Sequence, residues 1–518
     1  MQAPTLTPFL LSTNADYHRS VQGWKLAFAW LCLMGVTGLI GLSMMRGGPD
    51  PAWIGWLIYI LGGAAILLRP WTGLPLTLFF SLAGDGMILV WYPFNKNFSS
   101  GESIFYVNNA LIFSPLEFYL MLMVLVVAVR CFAQRRLALR GGPLGVPMAL
   151  FTVMMVVGMG YGIVRGGSLT IGLWECRPMF YLTLLYFLGV NLLEDRRQIS
   201  VIAWAAVLGN LVQAIAGNYF FLVELKGSLD GYDRIMEHSS SIHLNFLFVL
   251  TMGVWLYRAS WPKRLVLPLI SAVGALAYLA NQRRASFVTL AVALMLMGIA
   301  LYRQNRRAFW MIAPAAAVIG VVYVAAFWNS SGTLGMPARG IKSVFAPDGS
   351  DAESNIYRVI ENINTDFTIH QVPIFGVGFG NKFYTIVALP DISFFEWWEY
   401  ITHNSVVWVW MKTGVFGFIS MIFMVGTTLA VGARAYDRIP DGDYKAIGLA
   451  LVLYVLMHFV YAYVDMSWDT QSMTFVGVSA AVLGSMERLM ASPPRIPPLR
   501  YPWQLPRLAP IVIEEDPA

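Results

Sequence analysis

Two short polar groups interrupt a sequence that is otherwise mostly apolar. The first is Asn281-Gln282-Arg283-Arg284, in which two guanidinium groups stand directly before an apolar run. A guanidinium group can hold phosphate oxygens through two parallel hydrogen bonds, so Arg283 and Arg284 could bind a phosphorylated substrate. The alternative is that both side chains only extend along a membrane surface toward lipid headgroups. Spacing alone leaves both interpretations open.

The second polar group is Thr402-His403-Asn404, which is followed by Lys412, Gly414 and Gly417. A histidine titrates near neutral pH, so His403 could act as a general base. The alternatives are a structural histidine and a pair of glycines that only let two helices approach closely. The residue types do not choose between these alternatives.

Further polar residues lie in or beside apolar runs. Arg234 is a candidate third cation for a phosphate or a glycan, although an exposed loop arginine is usually only solvated. We expect His238 and His243 to be structural. An aromatic group could stack on sugars, but we favour an interfacial aromatic belt. That group contains Trp397, Trp398 and Tyr400. The intramembrane acids, which are functional candidates by default, are Asp85, Glu117, Glu175, Asp465 and Asp469.

The composition indicates the elements that must position these residues. Apolar residues make up 57% of the chain, charged residues only 12%, and the mean hydropathy is +0.61. A soluble protein carries about 25% charged residues because its surface meets water. A large soluble enzyme, a disordered chain and a disulfide-rich secreted domain are therefore excluded. Three scattered cysteines, Cys32, Cys131 and Cys176, form neither a zinc motif nor a disulfide framework.

A hydrophobic window of about 20 residues gives about fourteen candidate spans. We therefore predict an all-α, polytopic membrane helix bundle with one large extracytoplasmic loop. The net charge of +6 is dispersed in short groups between the spans, which indicates topology signals and no nucleic-acid partner. The predicted spans are 24–45, 52–69, 73–91, 111–130, 145–164, 173–192, 199–217, 239–257, 265–281, 284–302, 309–327, 406–433, 446–464 and 470–488.

The distribution of Lys and Arg predicts that both termini are cytoplasmic. The chain then divides into five parts, with the large loop on the outer side, which is the periplasm in a host with two membranes. They are a cytoplasmic segment 1–23, membrane helices 1–11 in 24–327, the loop 328–405, membrane helices 12–14 in 406–490, and a Pro-rich cytoplasmic tail 491–518.

Several motifs lie between about 280 and 420. They are Arg284-Ala285-Ser286, Asn355-Ile356-Tyr357-Arg358, Pro373-Ile374-Phe375-Gly376-Val377-Gly378-Phe379-Gly380, His403-Asn404, and Gly414 with Gly417. Taken together and in this order, they resemble the motifs of the O-antigen ligase and polysaccharide polymerase family of membrane glycosyltransferases. Lys412 departs from the family, which usually has an acidic or apolar residue there.

The resemblance implies glycan transfer from a polyprenyl-diphosphate-linked donor at the outer face of a bacterial inner membrane. It assigns Arg284 and Arg358 to the diphosphate and His403 to acceptor activation. We expect further substrate contacts from Arg283, Arg234, Asn404 and Lys412. We expect no cofactor and no metal, because arginines can stabilise the leaving diphosphate and the loop has no Asp-x-Asp motif.

Three functions remain as alternatives. We favour a polymerase of surface-polysaccharide or exopolysaccharide repeat units because the chain has many spans and a long tail. A ligase that transfers finished glycan to a lipid or protein acceptor would use the same donor. A lipid-linked glycan transporter or flippase usually shows internal repeats with broken helices, which this sequence lacks. The expected partners are the lipid-linked oligosaccharide, a glycan acceptor, membrane lipid, a chain-length regulator and a separate flippase.

Overall fold

The computed structural model describes scattered positions between 27 and 45 and then most of the chain from residue 52. The predicted segment 1–23, most of the first span, Asp85 and the tail from 492 lie outside the described residues. The described ranges are 52–84, 105–108, 111–133, 139–229, 232, 234–330, 332–346, 349–390 and 397–491.

The described chain is a bundle of helices with one short antiparallel hairpin. A π-helical turn, Phe220–Glu224, extends α6, and 3-10 turns precede α2 and α11 at Pro70–Thr72 and Thr333–Gly335. The helices are α1 (Ala52–Leu68), α2 (Gly73–Ala83), α3 (Pro115–Ala133), α4 (Gly145–Val164), α5 (Leu169–Leu192), α6 (Arg196–Tyr219), α7 (Ser240–Leu256), α8 (Trp261–Ala280), α9 (Arg284–Gln304), α10 (Arg306–Phe327), α11 (Met336–Phe345), α12 (Gly349–Gln371), α13 (Ser405–Arg438), α14 (Asp443–Val464) and α15 (Thr470–Ala491). The strands are β1 (Phe105–Asn108) and β2 (Leu111–Phe113).

Within the described residues, 8 helices are long and apolar enough to cross a membrane. The other predicted spans from 52 onward coincide with helices that are shorter or more polar, such as α5 and α15. The all-α polytopic architecture is therefore confirmed. One boundary differs from the predicted one because a strand precedes the helix. The span predicted at 111–130 begins with β2, and its helix starts at Pro115, where a missing N–H costs nothing.

The helices differ in how much of their apolar surface is buried inside the bundle, which distinguishes inner helices from outer ones. Two thirds of the apolar window of α14 is buried inside the bundle, whereas none of the window of α10 is. Helix α14 packs between α7 and α13, and α15 packs along α5. Among the described elements, α10 packs closely only against its neighbours α9 and α11. Its other apolar side chains point away from the protein and therefore face lipid.

The large loop lies between α10 and α13. It consists of the short helix α11, the long helix α12 and an irregular segment 372–404, of which residues 391–396 are not described. Helix α12, Gly349–Gln371, is the longer of the two loop helices. Helix α12 packs against α13, which returns the chain to the bundle.

The segment Pro373–Gly380 is joined to a break in α13. Gly414 has φ +70° and ψ −173°, so the helical hydrogen bonds stop there. The N–H of Val377 donates to the carbonyl of Met411 at 2.8 Å, and the N–H of Val415 donates to the carbonyl of Pro373 at 2.9 Å. The two segments thus satisfy each other's backbone groups, which the bilayer could not do.

Glycine is required at this junction for two reasons. Gly378 and Gly414 both have positive φ, at +81° and +70°. A Cβ on Gly378 would overlap the backbone of Gly162, and a Cβ on Gly414 would overlap the carbonyl of Ile374. Gly378 and Gly414 therefore allow the backbones of neighbouring segments to pack closely.

A buried ion pair completes the junction. Lys412 Nζ lies 2.7 Å from Glu175 Oε1 on α5 and donates to the carbonyl of Asn381 at 2.6 Å. Glu175 Oε2 accepts the N–H of Gly380 at 2.6 Å. Both charged side chains are 0% exposed. The prediction that Lys412 contacts substrate does not fit this burial, because its ammonium group is already paired inside the protein.

Removal of one partner from this ion pair should be costly. We expect Lys412→Met to destabilise the protein by about 3–5 kcal/mol, because Glu175 would remain as a buried, unpaired charge. The double variant Lys412→Met/Glu175→Gln should recover much of that loss. Reversible denaturation in detergent micelles measures both differences.

Lys382→Met provides the matched control, since Lys382 forms a partly exposed ion pair with Glu399. Exposed pairs contribute about 0–1 kcal/mol. Equal stability losses in Lys412→Met and Lys382→Met would contradict the proposed anchoring role.

Candidate functional site

Several chain segments meet at one end of the bundle, where α13 and α15 begin and α14 ends; we call this end the loop-side rim. The hydroxyl of Ser405 donates to the carbonyl of Asp465 at 3.3 Å and accepts the N–H of Ser467 at 3.2 Å. The indole N–H of Trp468 donates to the carbonyl of Ser405 at 2.6 Å. These bonds hold the start of α13, and with it His403, beside the α14–α15 connection.

Asn281 fixes the turn that carries the paired arginines. Its Oδ1 accepts the N–H of Met236 at 2.9 Å, and its Nδ2 donates to the carbonyl of Glu237 at 3.1 Å and to Ser241 Oγ at 3.0 Å. The α8–α9 turn is therefore attached to the segment that precedes α7. This attachment also brings His238 to the loop-side rim.

Asp465 is the acidic centre of the rim, and its side chain is almost fully buried. Arg358 Nη2 lies 3.9 Å and His238 Nδ1 lies 4.0 Å from its Oδ2, to which the Tyr461 hydroxyl donates at 3.3 Å. Burial alone would raise the pKa of this carboxyl. The contact with His238 and the positive charge of Arg358 outweigh burial and hold the pKa well below its usual range.

His403 is oriented by Glu361 on α12. Its Nδ1 lies 3.0 Å from Glu361 Oε2, which also accepts the backbone N–H of His403 at 2.8 Å. The Tyr357 ring contacts the imidazole edge to face, with 5.6 Å between the centroids. The His403 side chain is 25% exposed and that of Glu361 2%. A carboxylate that accepts the Nδ1–H leaves Nε2 as the proton acceptor of the neutral ring.

Sequence reasoning missed Glu361. Tyr357, Glu361 and Thr368 recur at helical spacing on one face of α12, and both Glu361 and Thr368 are buried. Extending that face from the Asn355–Arg358 motif would have identified Glu361 as an acid placed one helical turn beyond Arg358.

The remaining predicted cations lie at the same rim with different partners. Arg283 interacts electrostatically with Tyr461, whose hydroxyl reaches Asp465. The stem of Arg284 packs beside Gly340 of α11. Arg234 forms an ion pair with Glu237 at 3.3 Å, and both are partly exposed. The structure therefore brings Arg358 and His403 together around Asp465, with Arg283 nearby.

Asn404 has a local structural task. Its Oδ1 accepts the N–H of Val407 at 3.1 Å and so caps the N-terminus of α13. The predicted substrate contact would have to come from the other atoms of this side chain. His243 is fully buried and bonds Ser472 Oγ through Nε2 at 3.2 Å, which fits the structural role expected for it.

A second acid at the rim has the opposite electrostatic environment. Burial raises the pKa of Asp469 to about 6; hydrogen bonds from Ser472 and Ser239 lower it, and the charge of Glu237 raises it further. Asp465 and Asp469 lie four residues apart, yet one stays ionised while the other titrates near neutral pH. Helices α7, α9, α13 and α15 all start at this rim, so their positive dipole ends lie there.

Other predicted polar residues lie apart from Asp465. Glu117 pairs with Arg177 at 3.4 Å and accepts the Tyr181 hydroxyl at 2.6 Å, between α3 and α5. Trp397 contacts Trp174 edge to face, with 5.8 Å between the centroids. In the described residues, no group of three or more His, Cys, Asp or Glu could hold a metal ion.

Comparisons with known proteins bear on the same part of the chain. Residues 269–422 match the family model described as O-antigen ligase. This range includes α9, both loop helices, the glycine junction, Arg358, Glu361 and His403. The chain is also 21% identical over 286 residues to the O-antigen ligase of Salmonella typhimurium, an alignment that covers 54% of this chain and 68% of that protein. The motif order and these two matches show that this chain is similar to the O-antigen ligase family, whose model matches residues 269–422.

Proposed function

We propose that this protein is a membrane glycosyltransferase that transfers a glycan from a polyprenyl-diphosphate-linked donor to an acceptor at the loop-side rim. The observation that carries the proposal is the grouping of Arg358, His238 and His403 around one buried carboxylate, Asp465, with Arg283 nearby. We further propose that this rim faces the periplasm and that the helices cross the bacterial inner membrane.

The cations suit a diphosphate. In the absence of substrate, Asp465 holds Arg358 and His238 in place, so little reorganisation is needed when an anion arrives. The 3.9 Å separation between Arg358 and Asp465 is longer than a direct charged hydrogen bond. Arg358 therefore retains donor capacity for phosphate oxygens. Arg283 and Arg284, at the start of α9, would add positive charge on a second side.

His403 is the proposed general base. The acceptor hydroxyl oxygen forms a bond to the anomeric carbon of the donor sugar while the bond from that carbon to the phosphate oxygen breaks. The hydroxyl proton passes to His403 Nε2, and Glu361 stabilises the imidazolium that results. Polyprenyl diphosphate leaves with its charge neutralised by the arginines. No metal is needed in this scheme, so chelators should not reduce activity.

The identity of the acceptor distinguishes two glycan-transfer reactions, polymerisation of repeat units and ligation of a finished glycan. Sequence reasoning favoured polymerisation of repeat units, but the matched family model and the matched Salmonella typhimurium protein are both described as O-antigen ligase. We therefore propose ligation of a finished glycan to an acceptor. Reconstitution with a lipid-linked oligosaccharide and EDTA tests this: a single transferred product on a second acceptor supports ligation, and a ladder of growing chains would overturn it in favour of polymerisation.

Variants of His403 and Glu361 should differ in how the transfer rate depends on pH. We expect His403→Ala to lower the transfer rate by about 100-fold or more, because general-base catalysis typically contributes that much. Glu361→Gln should be milder and should move the acid limb of kcat/KM to lower pH, because an imidazolium without its carboxylate loses its proton more easily. Rates over a pH series in proteoliposomes measure both effects.

The matched control is Glu353→Gln, an exposed acid on the same helix. It should leave rate and pH profile unchanged. An unaltered acid limb in Glu361→Gln would show that Glu361 does not act through His403.

Arg358 should not be replaceable by lysine. An ammonium group cannot reproduce two parallel contacts to phosphate, so Arg358→Lys should raise the KM for the donor about 10- to 100-fold, the equivalent of losing one charge-assisted bond. Arg303→Lys, on an exposed ion pair with Asp437, serves as the control. Wild-type donor saturation in Arg358→Lys would contradict the phosphate assignment.

A further inference from the structure

Helix α11 exposes an apolar stripe in a part of the loop that sequence reasoning did not single out. Leu334, in the 3-10 turn that leads into the helix, is 61% exposed, Ile341 44% and Phe345 78%. Their spacing of seven and four residues places them on one side of the helix. On the opposite side, Met336 and Ser343 are buried. Helix α11 is therefore amphipathic, with its apolar side turned away from the protein.

The stripe is continuous with a surface that already faces lipid. The Tyr323 hydroxyl, near the end of α10, donates to the carbonyl of Leu334. Helix α10 has no buried residue and exposes large apolar side chains such as Val318 and Val322 along its length. Helix α11 also packs on the first turn of α9, next to Arg284 and Phe287. It therefore lies at the depth where α9 and α10 reach the loop-side rim.

The charges of α11 fit a membrane surface. Its sequence, Met336–Phe345, contains Arg339 and Lys342 and no acidic residue. Amphipathic helices that lie in the membrane interface combine exposed aliphatic and aromatic side chains with Lys or Arg. Exposure to water would instead cost about 25 cal/mol for each Å² of this apolar surface.

We propose that α11 is an interfacial helix that inserts Leu334, Ile341 and Phe345 into the bilayer leaflet at the loop-side rim. Because its inner side packs against Arg284, this contact fixes the large loop and the start of α9 at one depth relative to the lipid. The proposal rests on burial and continuity with α10 and is independent of the proposed transfer reaction.

Photo-crosslinking tests this placement in the full protein. The probe amino acid p-benzoylphenylalanine replaces Leu334, Ile341 or Phe345 one at a time, and each variant is reconstituted in phospholipid nanodiscs without any polyprenyl donor. Illumination followed by intact-protein mass spectrometry should show adducts of one phospholipid mass. Three separate positions keep the test valid if one variant does not assemble.

Two further positions serve as the positive and the negative control. Val318, on the lipid-facing surface of α10, should give the same adduct, and Asp366, highly exposed on α12, should give none. Adducts at Val318 but at none of the three α11 positions would overturn the proposal. Protein–protein crosslinks at those positions would overturn it as well, because they would assign the stripe to a second protein chain. Neither outcome depends on whether the protein transfers glycan.

Discussion

A buried carboxylate at the end of a membrane helix imposes the main constraint on this site. Asp465 lies just beyond α14, almost without access to water, where an unpaired charge would be very costly. Arg358 from α12 balances this charge, and the imidazoles of His238, before α7, and His403, before α13, lie close enough to interact with it. The need to balance one charge therefore brings the large loop and the helix ends into a single arrangement.

The large loop can meet this requirement because it is attached to the bundle at a second point. The break in α13 at Gly414 releases backbone groups that bond the Pro373–Gly380 segment, and the Lys412–Glu175 pair ties the same region to α5. The junction at Gly414 and Lys412 positions the part of the loop next to the bundle. The contact between Arg358 and Asp465 positions α12. His403 stands between these two points, and Glu361 fixes its ring.

Much of the architecture follows from the sequence because burial in lipid requires long apolar runs. Each predicted span from 52 onward contains a helix within the described residues, and the composition excluded a large soluble enzyme, a disordered chain and a disulfide-rich secreted domain. The partners of the polar residues were harder to predict. His403 and Arg358 do come together, but the partner of Lys412 is Glu175 on a distant helix, and no local pattern predicts that two far-separated charges will meet inside the bundle. Lysine in an apolar run therefore suggested a ligand contact where the structure has an internal ion pair.

Asn404 and Glu361 illustrate two other reasons why sequence reasoning falls short. Asn404 stands beside the candidate base, yet its Oδ1 is taken by the first turn of α13, because a helix N-terminus needs an acceptor and asparagine supplies one. Glu361 lies on a helix face that the sequence does contain, one turn beyond Arg358, but only the packing of α12 against the start of α13 shows that this acid reaches His403. The glycine motif at 373–380 marks close backbone contact.

The two acids of the α14–α15 connection have different electrostatic environments, although only four residues separate them. The contact with His238 and the charge of Arg358 outweigh burial and hold the pKa of Asp465 well below its usual range, so its carboxylate can order these two side chains. For Asp469, burial and the charge of Glu237 outweigh the hydrogen bonds from Ser472 and Ser239 and raise the pKa to about 6. If the proposed diphosphate donor binds at this rim, its negative charge will raise the pKa of Asp469 further, because a like charge favours the neutral acid. Proton uptake by Asp469 would then offset part of the repulsion between such a donor and the two acids.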